Sequence, residues 1–347
     1  MGGQKGDHGR PRDGEPHKQI GIPAVHSDGN GQCTVVIVNY NTREDLDACL
    51  SSIPRAEARE VVVVDNHSSD GSAEMVREKY PWATLSANQV NRGYGAAANQ
   101  AIAQCGTGYV LLLNSDTLVP SGAVEFLCCY LDQHPKAGIV GPRVVNADGT
   151  LQATCYPFPQ PLDTFLENSR WAVVLGRLIR RYIPGIGRLY LRTWSHDSQR
   201  IVPWVKGAAL AIRCEAFHAV GGFDESFFMY FEDADLCCRM KKAGWEVHFA
   251  PVTTIVHAGG RSTEKVRADM AAQLLCSTHL FYQRHSSPVT TFLVTGIING
   301  LMLAQWIGGT LRLIWTHDVE KREVISQKIA ACKTVLQWKA SVRTLSQ

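Results

Sequence analysis

Charge is sparse in this sequence and leans to neither side. Asp, Glu, Lys and Arg make up 19% of its 347 residues, and 35 basic side chains against 32 acidic ones leave a formal charge of +3. Fewer charges than the usual quarter exclude a disordered polyelectrolyte. So even a balance gives no warrant for a nucleic-acid partner, while leaving room for a local basic patch against an anionic membrane. No Cys-x-x-Cys pair occurs among the 11 cysteines, so neither a zinc ribbon nor a redox dithiol is expected. Their odd number and apolar helical settings predict buried free thiols in a reducing compartment. Residues 1–32 hold no apolar run of the signal-peptide kind, and their Gly, His and charge predict a disordered tail. Internal repeats and a Walker sequence are also missing.

What is present reads as alternating layers, with 45% apolar residues to fill a sizeable core. Thr34-Val35-Val36-Ile37-Val38 is the β-branched run expected of a strand buried on both faces. Leu46, Cys49, Leu50 and Ile53 follow at helical spacing. Val61–Val64 reads as a second buried strand, with Ser68, Ser69 and Asp70 as N-caps for a helix to about Tyr80. Thr84–Ala87 is a weaker strand, Ala96–Cys105 a helix stopped by Gly106, Tyr109–Leu113 a buried strand, and Pro120–His134 a helix. This alternation predicts an α/β layer fold with a mostly parallel sheet. The apolar strands end in Asn39-Tyr40-Asn41, Asp65-Asn66 and Asn114-Ser115-Asp116. Ligands of open parallel sheets bind beyond those carboxyl ends, so one crevice is expected there.

Beyond residue 138 the pattern changes. Asn146-Ala147-Asp148-Gly149 signals a hairpin turn. Trp204–Arg213 reads as one strand, 232–243 as a helix stopped by Gly244, and Val247–Phe249 and Thr253–His257 as two strands. The segment 170–192 is rich in arginine. Val289–Leu311 runs 23 residues without a charge. It is long enough to span a bilayer, and its Thr, Asn, Gln and Gly also fit a helix lying in the interface or a buried one.

Several residues could carry chemistry. Asp116, at a strand end, can hold a hard divalent cation together with diphosphate oxygens and water, or it caps a helix. Asp65 can accept from a base N–H or a ribose hydroxyl, or it closes a turn. Asn91-Arg92-Gly93-Tyr94-Gly95 opens a helix like a phosphate-cradling loop. It follows the third strand, and the first strand leads into no Gly-rich turn, which rejects a dinucleotide oxidoreductase. Glu232-Asp233-Ala234-Asp235 sets three acids in four positions after the apolar Phe227–Phe231. A helix N-terminus would relieve their repulsion and keep Asp233 ionised, and an ionised carboxylate beside a pocket is a candidate general base. An ordinary acidic first turn is the plainer alternative. His257 ends an apolar strand. As a neutral imidazole it can be a second metal ligand, with Ala258-Gly259-Gly260-Arg261-Ser262 as a mobile flap, or it is a structural strand-end histidine.

Taken in order, Val36–Asn41, Val64–Asn66, Asn91–Asn99, Leu113–Asp116, Trp204–Ala208, Gly221–Glu225, Glu232–Asp235 and His257–Gly260 carry a resemblance. Over about residues 33–262 the chain resembles a family 2 glycosyltransferase of the GT-A fold, in the rhamnosyltransferase-like branch. The resemblance implies a nucleotide-diphospho-sugar transferase domain over 33–285, with a nucleotide-binding half 33–137 and an acceptor and catalytic half 138–285. An apolar helix and amphipathic tail would follow at 286–347, meeting a membrane through 289–311. By the same resemblance Asp65 reads the pyrimidine of a nucleotide-sugar, Asn39 and Tyr40 line that pocket, and Asn91 and Gly93 run along the nucleotide. Asp116 is the last position of a DXD-type motif whose first acid is replaced by Asn114. It would bind magnesium or manganese with His257. Asp233 would be the base of an inverting transfer. Glu232, Asp235 and Trp204 would orient the acceptor or support the base.

The activity so implied moves L-rhamnose from dTDP-L-rhamnose to a hydroxyl of a lipid-linked or cell-envelope saccharide, at the cytoplasmic face of the membrane. A UDP- or GDP-sugar donor is the alternative within the family. A nucleotidyltransferase would need a Gly-rich, Arg-containing loop where this chain has Asn39-Tyr40-Asn41-Thr42-Arg43. A catalytically silent membrane scaffold is allowed by Asn114 and opposed by Asp116, Asp233 and His257.

Overall fold

The computed structural model describes residues 33–162, 164, 194–259 and 267–342. The expected tail over 1–32, the arginine-rich 170–192 segment and the Gly260-Arg261-Ser262 part of the flap lie outside the described residues.

Every residue of β1 (Cys33–Asn39) is buried. Strands β2 (Glu60–Asp65), β3 (Thr84–Ala87) and β4 (Tyr109–Asn114) join it in parallel, in the order β3-β2-β1-β4. Alternate side chains of these strands feed two cores. Val35, Ile37, Val63, Leu111 and Leu113 pack with α1 (Arg43–Ser52), α2 (Ser72–Lys79) and α4 (Ala123–Gln133). Val36, Val64, Val110 and Leu112 pack with α3 (Tyr94–Ile102), α5 (Cys214–Ala219) and α6 (Glu232–Lys242). The period of two in a strand thus sorts one run of apolar residues into two helical layers.

The sheet is parallel through these four strands and mixed beyond them. Strand β10 (Ala209–Arg213) runs antiparallel to both β4 and β6 (Ala137–Val145). The next strand, β11 (Glu246–His257), is parallel to β6 and pairs antiparallel with β5 (Thr117–Leu118) and β8 (Arg200–Ile201). A separate ribbon joins β7 (Cys155–Tyr156) to β9 (Trp204–Val205).

Three local expectations change. Trp204–Arg213 is two strands, because β9 passes over β6 where Gly141 leaves room. A Cβ on Gly141 would stand 2.3 Å from Val205 Cγ1. The chain turns through Lys206-Gly207 and only then joins the sheet as β10. The two strands expected at 247–257 are one, β11, with its register shifted between Phe249 and Thr254. Pro251 lies there and has no N–H for the ladder. Helix α2 starts at Ser72, where Asp70 accepts from the Ser72 N–H at 3.0 Å, and Ser68 is left for another use.

All 11 cysteines are free thiols. Helices α7 (Arg267–His285), α8 (Pro288–Trp315) and α9 (Val319–Val342) share a core of Leu275, Tyr282, Val294, Ile298, Met302, Cys332 and Val335. Among the described residues, α8 is the one helix long and apolar enough to cross a membrane.

Candidate active site

Strand register brings the polar clusters to one edge of the sheet. Asn39 lies beside Asp65, and Val38 beside Asn114. Antiparallel β10 begins at the same edge, where Ala208 O accepts from the Asn114 N–H at 3.1 Å. Asn39 Nδ2 donates to Asp65 Oδ1 at 2.8 Å, and the Ser68 N–H to Asp65 Oδ2 at 3.0 Å. The Thr42 hydroxyl donates to Asn39 Oδ1 at 2.7 Å and meets Ser115 Oγ at 2.7 Å. Asp65 is therefore buried and aimed, with a lone pair left on each oxygen for a ligand. Tyr40 is the exposed member of this group.

The loop that follows β3 is held by Asn66, which the sequence reading left unassigned. Its Nδ2 donates to Asn91 Oδ1 at 2.8 Å and to Gly93 O at 3.2 Å, and its Oδ1 accepts from the Arg92 N–H at 3.0 Å. Gly93 sits at φ +83° and ψ 166°, and a Cβ there would lie 2.4 Å from Phe228 O. The same carbonyl accepts from the Tyr94 N–H at 2.9 Å. The Asn91–Gly93 loop is thereby fastened to the turn that leads into α6.

Asp116 and His257 meet at 3.1 Å, Oδ1 to Nε2. His257 Nδ1 lies 2.6 Å from Gln152 Oε1, and Gln152 Nε2 donates to Asn146 Oδ1 at 2.9 Å. An amide oxygen only accepts, so Nδ1 carries the ring proton and Nε2 offers its lone pair. Asn114 Nδ2 lies 3.2 Å from that nitrogen. Burial opposes the charge on Asp116, but the neighbouring His257 imidazole and the Gly259 N–H, donating to Oδ2 at 3.0 Å, outweigh it and hold its pKa below the ordinary value. An ionised carboxylate oxygen facing an imidazole lone pair is suited to a shared cation. No group of three His, Cys, Asp or Glu able to hold a metal occurs among the described residues. The pair thus fits a magnesium or manganese ion whose remaining ligands would come from a diphosphate and water.

Tyr230 and Phe231, at φ +68° and +65°, turn the chain into α6. Asp233 Oδ2 accepts from the Gly207 N–H at 2.8 Å, and Oδ1 from the Ala234 N–H at 2.7 Å. Burial pushes Asp233 upward, and burial together with Asp233 pushes Glu232 up to about 8. Glu232 Oε2 is buried with no hydrogen-bond partner. Two adjacent buried carboxyls resist double ionisation, so at neutral pH Glu232 keeps the proton and Asp233 the charge. Tyr94, at the start of α3, reaches the chain beside this pair: its hydroxyl donates to Gly207 O at 3.3 Å. Burial and then Glu232, Asp233 and Asp116 raise its pKa well above the ordinary value.

Asp235 does not join Asp233. Its Oδ2 accepts from Arg239 at 2.8 and 2.6 Å, and its Oδ1 lies 2.7 Å from His285 Nε2. That network ties α6 to α7. Trp204 stacks on Tyr156 with centroids 5.1 Å apart and donates from Nε1 to Pro157 O at 3.0 Å.

A sheet edge that gathers a buried strand-end carboxylate, an Asp–His pair and a buried acid has the layout of the GT-A class of nucleotide-sugar glycosyltransferase. Residues 31–275 match the family model described as glycosyltransferase like family 2, and the chain belongs to that family. It is 34% identical over 266 residues to the N-acetylglucosaminyl-diphospho-decaprenol L-rhamnosyltransferase of Mycobacterium tuberculosis, covering 73% of this chain and 84% of that protein. Over 84 residues it is 36% identical to the Escherichia coli K12 rhamnosyltransferase WbbL, covering 24% of this chain and 32% of that one. Its fold is similar to that of a Pyrobaculum calidifontis mannosyltransferase solved with GDP-Man and Mn2+, at TM-score 0.50 and 18% identity over 88% of this chain and 87% of that chain. The chain is a rhamnosyltransferase-like family 2 glycosyltransferase.

Proposed function

We propose that the chain transfers L-rhamnose from dTDP-L-rhamnose, with inversion, to a hydroxyl of a lipid-linked saccharide. The acceptor class follows the Mycobacterium tuberculosis relative, whose name gives N-acetylglucosaminyl-diphospho-decaprenol. The reaction would take place at the cytoplasmic face of the membrane, with residues 289–311 in contact with lipid.

The observation that carries the mechanism is the Gly207 N–H on Asp233 Oδ2, one residue from the Ala208 carbonyl bonded to Asn114. Asp65, with Asn39, receives the pyrimidine, and the Asn91–Gly93 loop lies along the nucleotide. Asp116 and His257 would hold a divalent cation, which when bound stabilises charge on the departing diphosphate. Glu232 keeps its proton, so Asp233 stays charged and takes the proton of the acceptor hydroxyl as that oxygen attacks the anomeric carbon from the face opposite the diphosphate. Trp204 and Tyr156 offer an aromatic face to the acceptor sugar.

Asp233→Asn tests the base. The amide keeps the shape, so transfer should fall by about 1000-fold or more while donor binding holds; undiminished transfer overturns the assignment. Donor competition among dTDP-, UDP- and GDP-sugars tests the rhamnosyl reading, and preference for a UDP- or GDP-sugar refutes it.

A further inference from the structure

Helix α8 is apolar on two opposite sides. One side, Val294, Ile298 and Met302, is buried against α7 and α9. The other is exposed at every third or fourth position, from Val289 through Phe292, Gly296, Leu303 and Ile307 to Trp315. Their spacing of three and four residues makes one stripe. From Val289 to Trp315 it is about 39 Å long, and no charged residue belongs to it.

A membrane span would have to be coated by lipid or by other apolar helices along its whole length. Helix α9 prevents that. It runs back along α8, so that a Cβ on Gly309 would meet Ile329 Cγ1 at 3.0 Å, and Val335 shares the core with Ile298. It exposes Glu320, Lys321, Arg322, Glu323, Lys328 and Lys333. Such charges are expelled from hydrocarbon. A helix dry on one side and held to a charged neighbour on the other suits the plane of an interface.

We propose that α8 lies flat on a phospholipid bilayer, its Val289–Trp315 stripe immersed at the level of the headgroups and upper acyl chains, with α9 in water above it. This rests on the membrane contact proposed above and sharpens it from a span to an in-plane seat. The uncharged stripe makes apolar burial, not lipid charge, the source of binding. The seat also fixes the site relative to the membrane, because His285 and Ser277 of α7 bond to Asp235 and to Met229 O at 2.7 Å each.

The test uses the full chain with preformed phosphatidylcholine vesicles, with and without phosphatidylglycerol. Both should bind it about equally. Phe292→Asp, Ile307→Asp and Ile314→Asp combined should lower partition by about 100-fold or more, while donor hydrolysis in detergent persists. Lipids brominated near the headgroup should quench tryptophan emission, and Trp315→Phe should abolish the effect. Stronger quenching by lipids brominated at the bilayer centre, with resistance to alkaline carbonate, would overturn the in-plane seat in favour of a span. Absence of vesicle binding in a dimer that the triple variant dissociates would assign the stripe to a second copy instead. Loss of donor hydrolysis in wild type, with vesicle binding intact, would count against the transferase reading and not against the seat.

Discussion

Replacing Glu232 by Gln should remove a pH dependence that burial creates. Burial and the neighbouring Asp233 raise the Glu232 carboxyl from 4.5 to about 8. An acid whose folded pKa lies above its unfolded one binds its proton more tightly in the folded chain. Its contribution to stability is therefore complete below about 4.5, declines as pH climbs from 4.5 towards 8, and is gone above that. At about 1.4 kcal/mol per pH unit, that interval is worth about 5 kcal/mol. Sharing of the proton with Asp233 leaves about 2–5 kcal/mol to Glu232 itself. The Gln amide imitates the protonated acid at every pH. Melting curves of wild type and Glu232→Gln should nearly coincide at pH 5 and separate as pH rises, with the variant melting higher at pH 9. All groups outside the Glu232–Asp233 pair are common to both proteins, so the difference between the two curves isolates the Glu232 carboxyl together with its coupling to Asp233. Curves that run parallel from pH 5 to 9 would refute a proton held on Glu232, and with it the account of why Asp233 is charged.

Other substitutions probe the supports around the site. Gly93→Ala forces a Cβ towards Phe228 O in a backbone region reserved for glycine. It should cost about 2–4 kcal/mol and weaken nucleotide binding; an unshifted melting temperature would contradict the close approach. Asp235→Asn leaves Arg239 and His285 without their counter-charge and should cost about 3–5 kcal/mol, read by denaturant unfolding. A change within about 0.5 kcal/mol would show that the network is ornamental. Gln152→Leu removes the acceptor for the His257 Nδ1 proton and should raise the manganese concentration needed for half-maximal transfer by about 10- to 100-fold. An unchanged requirement would disprove the tautomer derived from that contact.

The strand ends were legible because buried parallel strands announce themselves as β-branched runs, and the polar residue closing each run has to face the ligand edge. Asn39, Asp65, Asn114 and Asp116 could be located on that ground alone. The residues that orient them could not. Gln152 reaches His257 from 105 positions away and Gly207 reaches Asp233 from 26, and neither leaves a local pattern. Asp235 looked like a companion of Asp233 because both stand in one acidic turn. Its partner is His285, 50 residues on, and only the packing of α7 decides between the two. The break after Val205 escaped notice for a similar reason: its cause is Gly141 in another strand. The uncharged run at 289–311 was plain in the sequence. That α9, with its exposed charges, lies along it required the tertiary arrangement.

Among the described residues, the hydrogen bonds that aim Asp233 come from main-chain N–H groups, those of Gly207 and Ala234. Substitution alters side chains and leaves the peptide in place. Position 204 can therefore be recut for a different sugar without misdirecting the carboxylate, provided the chain keeps its path from β9 to β10. What constrains that path is the missing side chain of Gly141, whose place Val205 takes; Gly141 itself has no part in the chemistry. Change in this site is thus freest beside the base, and most restricted at a glycine beneath it.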